Sequence, residues 1–284
     1  MKQKLKNFSE LVVFEHTIFS MPFIFLAMVV AARGWFGWRL LFLGALAAIS
    51  ARNFAMGVNR YLDRDIDALN PRTKNRPSVD GRVSTKEMLV FIIINGAIFI
   101  VVAYFINSLA FKLSIPILFI LGAYTLFKRF SALAHIVLGI SLGLAPIAGA
   151  VAVLADIPLW VIYLSIGVTF WVAGFDLLYS LQDMEFDKKH KLHSIPAKLG
   201  AQNTLNLAAF FHLITIICWY MFVKEASLGV FSYIAIIVAA LMLFYEHYLV
   251  RKDFKKIDRA FFTINGYLGF IFFILVTLDV ILSG

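Results

Sequence analysis

Apolar runs of membrane-spanning length alternate with short charged connections along the whole chain. A helix that crosses a bilayer needs about 20 mostly apolar residues. Nine stretches approach or meet that length, at roughly 12–32, 39–59, 88–108, 113–127, 132–154, 158–182, 204–223, 227–249 and 261–282. No small-residue cleavage site follows the first apolar run, so it reads as a span and not as a leader. The pattern predicts an all-α polytopic membrane protein, a nine-helix bundle occupying residues 1–284 as one domain.

Charge placement orients the bundle. Lys2, Lys4 and Lys6 precede the first span, and Arg60, Arg64, Arg72, Lys74, Arg76, Arg82 and Lys86 follow the second. Lys128 and Arg129 follow the fourth, Lys188, Lys189, Lys191 and Lys198 the sixth, and Arg251, Lys252, Lys255, Lys256 and Arg259 the eighth. Only Arg33, Arg39, Lys112 and Lys224 fall on the other side, with Arg52 inside the second span. The positive-inside rule then puts the N-terminus and every even-numbered connection in the cytoplasm.

Composition agrees: 61% of the 284 residues are hydrophobic and 15% are charged, against roughly 45–50% and about 25% in soluble domains. One cysteine, Cys218, excludes a disulfide scaffold. The net charge of +9 follows from topology and attraction to anionic headgroups, and calls for no nucleic acid.

The acids carry the chemistry. Of 17 Asp and Glu residues, seven fall in two short windows: Asp63, Asp65 and Asp67, then Asp176, Asp183, Glu185 and Asp187. Both windows sit at the cytoplasmic ends of even-numbered spans. In NRYLDRDID, Asn59, Asp63 and Asp67 recur every four residues and share a helix face. In DLLYSLQDMEFD, Asp176, Tyr179, Asp183 and Asp187 keep one face, with Gln182 beside them. Like charges on one face repel and are costly near a membrane core, so the register predicts a neutralising cation. Oxygen ligands without nearby cysteine point to magnesium, which shares phosphate oxygens with its substrate. Asp65 and Glu185 lie off these faces and are expected to pair with neighbouring Arg or Lys. Arg72, Arg76 and Lys128 surround the clusters. Magnesium with Arg and Lys suits a diphosphate held as a leaving group.

The stretches NRYLDRDIDALNPRTKNRP and DLLYSLQDMEFDKKHKLHSIP closely resemble the two aspartate motifs of the UbiA superfamily of intramembrane aromatic prenyltransferases. The likeness extends to nine spans with the motifs after spans 2 and 6, and is strongest to the 4-hydroxybenzoate polyprenyltransferase-like branch. It implies that Asn59, Asp63, Asp67, Asp176, Asp183 and Asp187 hold two magnesium ions, with Asp63, Asp67, Asp183 and Asp187 central to catalysis. It further implies that Arg72, Arg76 and Lys128 contact the diphosphate, that Tyr179 and Gln182 line the site, and that Arg52 meets the acceptor's carboxylate.

The implied reaction alkylates a ring carbon of a small aromatic acid with a polyprenyl group from an allylic polyprenyl diphosphate. Quinone biosynthesis in a bacterial inner membrane would use it, and no protein partner is implied. An aromatic wall would shield the cation from water, with Phe19, Phe127, Trp171 and Phe175 as examples. FEHTIFSMP and QDMEFDKKHKLHSIPAKLG also resemble a bacterial subgroup associated with the futalosine route to menaquinone, where a different aromatic acid is the acceptor. A magnesium transporter would place polar groups at several depths, whereas these gather at the cytoplasmic ends and Arg52 would repel a cation.

Overall fold

A computed structural model describes residues 2–12 and 21–283, in which every regular element is helical. Phe19 lies outside the described residues. Helix α1 (Lys2–Val12) precedes α2 (Met21–Ala32), α3 (Trp38–Leu62) and the short α4 (Arg64–Leu69). Then come α5 (Thr85–Ile106), α6 (Ser108–Ala123) with a tight turn over Tyr124–Arg129, α7 (Ala134–Leu154) and α8 (Leu159–Ser180). The chain continues through α9 (Met184–Lys189), α10 (Ile195–Glu225), α11 (Val230–Lys252), α12 (Ile257–Arg259), a π turn (Ala260–Ile264) and α13 (Asn265–Ser283).

Among the described residues eight helical segments are long and apolar enough to cross a bilayer, and they coincide with the second to ninth apolar stretches. The first stretch contains the shorter apolar helix α2, and its residues 13–20 lie outside the described residues.

Local signals set the helix ends. Ser84 and Glu87 form a reciprocal capping box at the start of α5. The Asn107 side chain accepts from Ala110 N at 2.8 Å to start α6. The last helix caps another: the Asp279 carboxylate accepts from Phe231 N at 3.1 Å and from Ser232 Oγ at 2.7 Å, and also from Gly229 N, at the exposed donors of α11. Gly200, with φ of 77°, separates the first turn of α10 from its membrane run.

Lipid tails are as apolar as leucine, so helices in a bilayer associate by close packing and interhelical hydrogen bonds. The core is a knot of rings from four helices: Phe23, Trp171, Trp219 and Phe272, all buried, with centroids 4.4–6.1 Å apart. The Trp171 indole N–H donates to Asn265 Oδ1 at 2.8 Å, and Asn265 Nδ2 donates to Glu246 Oε1 at 2.7 Å.

One close approach positions the site. A β-carbon on Gly139 would run into the Thr169 carbonyl, and one on Gly143 into the Thr169 side chain and the Ser165 carbonyl. Glycine at these positions lets α7 lie directly on α8. His135, Gly139 and Gly143 follow one another every four residues, so the same face brings His135 against α8.

Candidate active site

The first acidic window begins on α3 and continues past its end. Asp63 terminates α3 with φ of −88° and ψ of 4°, yet the backbone bonds from Asp63 N to Asn59 O (2.9 Å) and from Asp67 N to Asp63 O (2.8 Å) carry the four-residue register into α4. Asn59, Asp63 and Asp67 consequently face one polar cavity of about 180 Å³. Asp183 and Asp187 enter it from beyond the end of α8, and Arg72, Arg76 and Lys128 complete the charged wall.

Three of the four acids there have a cationic partner. Lys128 Nζ lies 3.0 Å from Asp63 Oδ2, and Arg76 donates from one nitrogen to both Asp67 oxygens at 2.7 Å. Arg72 Nε donates to Asp183 Oδ1 at 3.1 Å, while its other nitrogens bind Asp183 Oδ2 and, at 2.9 Å, the Tyr179 hydroxyl. Burial opposes the charge on Arg72, but its bonds to Asp183 outweigh that cost and hold the guanidinium above its ordinary pKa. Asp187 hydrogen-bonds with Ser194. Asp63 and Asp67 are buried, and burial pushes the Asp63 carboxyl upward against the opposing pull of Lys128.

Asn59, Arg60, Asn70 and Thr73 brace these pairs. Asn59 Nδ2 donates to Asp63 Oδ2 and to Thr125 Oγ1, both at 3.1 Å. The buried Arg60 donates from Nε to the Leu11 carbonyl and from NH1 to Asn59 Oδ1, at 3.1 Å each, tying α1 to the site. Asn70 Nδ2 donates to Asp183 Oδ1 at 3.1 Å, and Thr73 Oγ1 to the Asp67 carbonyl at 3.0 Å. Asn70 continues the face of Asn59, Asp63 and Asp67 by one more turn, so spacing alone could have revealed it.

A second, apolar chamber of about 290 Å³ opens deeper in the bundle. Alanines of α3 and α7 form much of its wall, with Phe99, Tyr124, Phe175 and Phe261 as its aromatic members and Arg52 and Asp176 as its charged ones. Arg52 donates to the Val12 carbonyl at 3.4 Å. Of the rings suggested by the sequence, Phe175 lines the chamber. Trp171 is fully buried in the core, and Phe127, in the turn after α6, packs at a tilt against Phe130.

Besides Arg52, three expected site residues stand apart from the polar cavity. Asp176 lies seven residues before Asp183 on α8, about 10 Å deeper at 1.5 Å per residue. Its Oδ2 meets His135 Nδ1 at 2.7 Å. Gln182 sits in the tight turn after α8, which rotates its amide outward to Asp258 Oδ1 at 3.0 Å. Tyr179 reaches the site only through Arg72, its ring packed on Phe261 at 4.3 Å. The two off-face acids pair as expected: Asp65 with Arg129 at 2.6 Å, and Glu185 with Lys188 at 3.2 Å. Among the described residues no three His, Cys, Asp or Glu stand close enough to hold a metal by themselves.

The profile of the UbiA prenyltransferase family matches residues 20–275. The chain is 27% identical over 247 residues to a 4-hydroxybenzoate octaprenyltransferase of Vibrio campbellii, covering 86% of each. It is 29% identical over 252 residues to one of Albidiferax ferrireducens, covering 87% of this chain and 83% of that one. Among solved structures, an apo UbiA homolog from Aeropyrum pernix superposes with a TM-score of 0.80 at 30% identity, covering 95% of this chain and 98% of the other. A UbiA homolog from Archaeoglobus fulgidus, bound to GPP and Mg2+, has the same fold with a TM-score of 0.74 at 20% identity, over 95% and 99% of the two chains. The chain belongs to the UbiA prenyltransferase family, an integral membrane family of transferases.

Proposed function

We propose that this member of the UbiA prenyltransferase family transfers a polyprenyl group from an allylic polyprenyl diphosphate to a ring carbon of a small aromatic acid, 4-hydroxybenzoate being the first choice. The observation that carries the reading is the stacking of an Arg- and Lys-walled acidic cavity on an apolar chamber that contains one arginine. The upper cavity suits a diphosphate and the chamber suits a prenyl chain with a benzoate. The 4-hydroxybenzoate octaprenyltransferases among the relatives favour that acceptor, and their bacterial sources favour the inner membrane.

The polar cavity fits magnesium. Its donors are hard oxygens from Asn59, Asp63, Asp67, Asp183 and Asp187, and Asp63 Oδ1 is buried with no hydrogen-bond partner. Magnesium keeps waters and shares substrate oxygens instead of demanding a complete protein cage. Bound there, it would supply positive charge against the diphosphate as the allylic C–O bond breaks. Asp176 is left out of this set because it lines the deeper chamber.

The chain's own residues do the rest. Arg72, Arg76 and Lys128 turn from their acids to phosphate oxygens and hold the leaving group. Arg52 orients the acceptor by its carboxylate, with the ring among apolar side chains that exclude water from the allylic cation. The cation is attacked by the ring carbon ortho to the phenol hydroxyl, and diphosphate departs to the cytoplasm.

Membranes containing the protein, supplied with magnesium, an allylic polyprenyl diphosphate and 4-hydroxybenzoate, are expected to form the prenylated acid. A panel that includes the futalosine-derived aromatic acid decides the acceptor. Failure to alkylate any aromatic acid, with magnesium flux into vesicles, would replace this reading by cation transport.

A further inference from the structure

The chamber holds a carboxylate that diphosphate binding does not use. Asp176 is costly at this depth in an apolar wall, and the structure spends a second residue on keeping it in place. His135, itself buried, approaches Asp176 Oδ2 with Nδ1 at 2.7 Å. Its Nε2 is buried without a hydrogen-bond partner. A proton on Nε2 would leave a buried donor unsatisfied, so the neutral tautomer carries its proton on Nδ1 and donates to Asp176. The Asp176 side chain is 21% exposed, and it lines the chamber. Gly139 and Gly143 hold α7 on α8 in the register that makes this contact.

Arg52 stands at the matching depth. It lies seven residues before Asn59 on α3, as Asp176 lies seven before Asp183 on α8, and both span ends point to the polar cavity. An aromatic acid with its carboxylate on Arg52 therefore has its ring in the chamber that Asp176 also lines, below the site of the leaving diphosphate.

We propose that Asp176, held by His135, is the base that takes the ring proton of the aromatic acceptor. This rests on the reading given under Proposed function. The allylic C–O bond breaks first, its electron pair leaving on the diphosphate, and an electron pair of the ring then bonds the ring carbon to the allylic cation. The alkylated ring carbon then carries both hydrogen and prenyl group. Its C–H electron pair returns to the ring and restores aromaticity, and the proton passes to the Asp176 carboxylate, which becomes the carboxylic acid. The proton goes to water after the product leaves. Asp176 is a catalytic residue in this scheme and His135 a positioning residue.

The test compares wild type, Asp176→Asn, His135→Ala and His135→Asn, using 4-hydroxybenzoate with hydrogen or deuterium at both ring positions ortho to the hydroxyl. Asp176→Asn is expected to lower kcat by about 10²–10⁴-fold, the range for loss of a positioned base. Proton removal then limits the rate, so a primary isotope effect emerges that is absent in wild type. Affinity for inorganic diphosphate with magnesium stays at the wild-type value. His135→Ala moves kcat and the isotope effect in the same direction by less, and His135→Asn, which restores an N–H near Nδ1, recovers most of the loss. If Asp176→Asn instead weakens magnesium-dependent diphosphate binding about as much as turnover, with no isotope effect, Asp176 is a metal ligand and the proposal falls. Unchanged turnover in Asp176→Asn also overturns it. A wild-type protein that alkylates no aromatic acid removes this inference together with the reading beneath it.

Discussion

The two cavities stacked along α3 and α8 bury charge in opposite ways. In the upper one Asp63 meets Lys128, Asp67 meets Arg76 and Asp183 meets Arg72, and these cations are about one-quarter to one-third exposed. In the chamber Arg52 reaches a backbone carbonyl and Asp176 a histidine, among alanines and larger apolar side chains. A dense set of exchangeable pairs suits a multiply charged ligand, because each Arg or Lys can leave its acid for a phosphate oxygen without losing its charge-assisted bonds. Sparse charges in an apolar wall suit a ligand with one charge and a ring. Removing one partner from a buried pair leaves the other uncompensated, at about 3–5 kcal/mol. Substitutions in the upper cavity should therefore be felt most.

The largest effect is expected from Asp63→Ala, which removes a buried oxygen donor and strands Lys128. Turnover at saturating substrates should fall by about 10³-fold or more, the upper scale for losing one direct electrostatic contact to the transition state. Asp183→Ala should match it, since Arg72 and Asn70 converge on that carboxylate. Near-normal rates in either variant would remove the metal assignment from the upper cavity. Arg52→Leu tests the chamber. A hydrogen bond to a charged group is worth about 1.5–3 kcal/mol, so the acceptor's KM should rise about 10–100-fold, with little change in the KM for prenyl diphosphate. An unchanged acceptor KM would move the carboxylate contact elsewhere.

The upper cavity was far more legible in the sequence than the chamber. Asn59, Asp63 and Asp67 repeat at helical spacing within nine residues, and the backbone keeps that register across the end of α3. The second window was read as one face, which holds for Asp183 and Asp187. A shared face says nothing about depth, and seven residues of rise put Asp176 in a different cavity. The tight turn over Leu181–Asp183 departs from α-helical pitch, which the spacing rule could not anticipate, and Gln182 turns to Asp258 as a result. His135 was invisible for another reason. Its partner lies 41 residues away, and the two meet through an α7–α8 contact that only the glycine stripe at Gly139 and Gly143 allows.

The smallest effect is expected two residues from the largest. Asp65 shares its sequence window with Asp63 but points off the common face, and its side chain is 65% exposed where that of Asp63 is 4% exposed. The hydrogen bond from Arg129 holds the Asp65 carboxyl below the ordinary carboxylate range. A lowered folded-state pKa contributes stability above the unfolded value, and that contribution is lost as the pH falls through the folded one. At neutral pH the whole contribution is therefore present. It is small, because water screens an exposed pair, and Asp65→Asn should cost at most about 0.5 kcal/mol. Thermal unfolding in detergent at pH 7 should barely distinguish Asp65→Asn from wild type, and turnover should stay within about twofold. Asp63→Asn, with the same change of atoms, should lose nearly all turnover. If both variants were equally impaired, position on the shared face would not separate the working acids from the paired ones. The contrast would then rest on the whole acidic window instead of the cavity it lines.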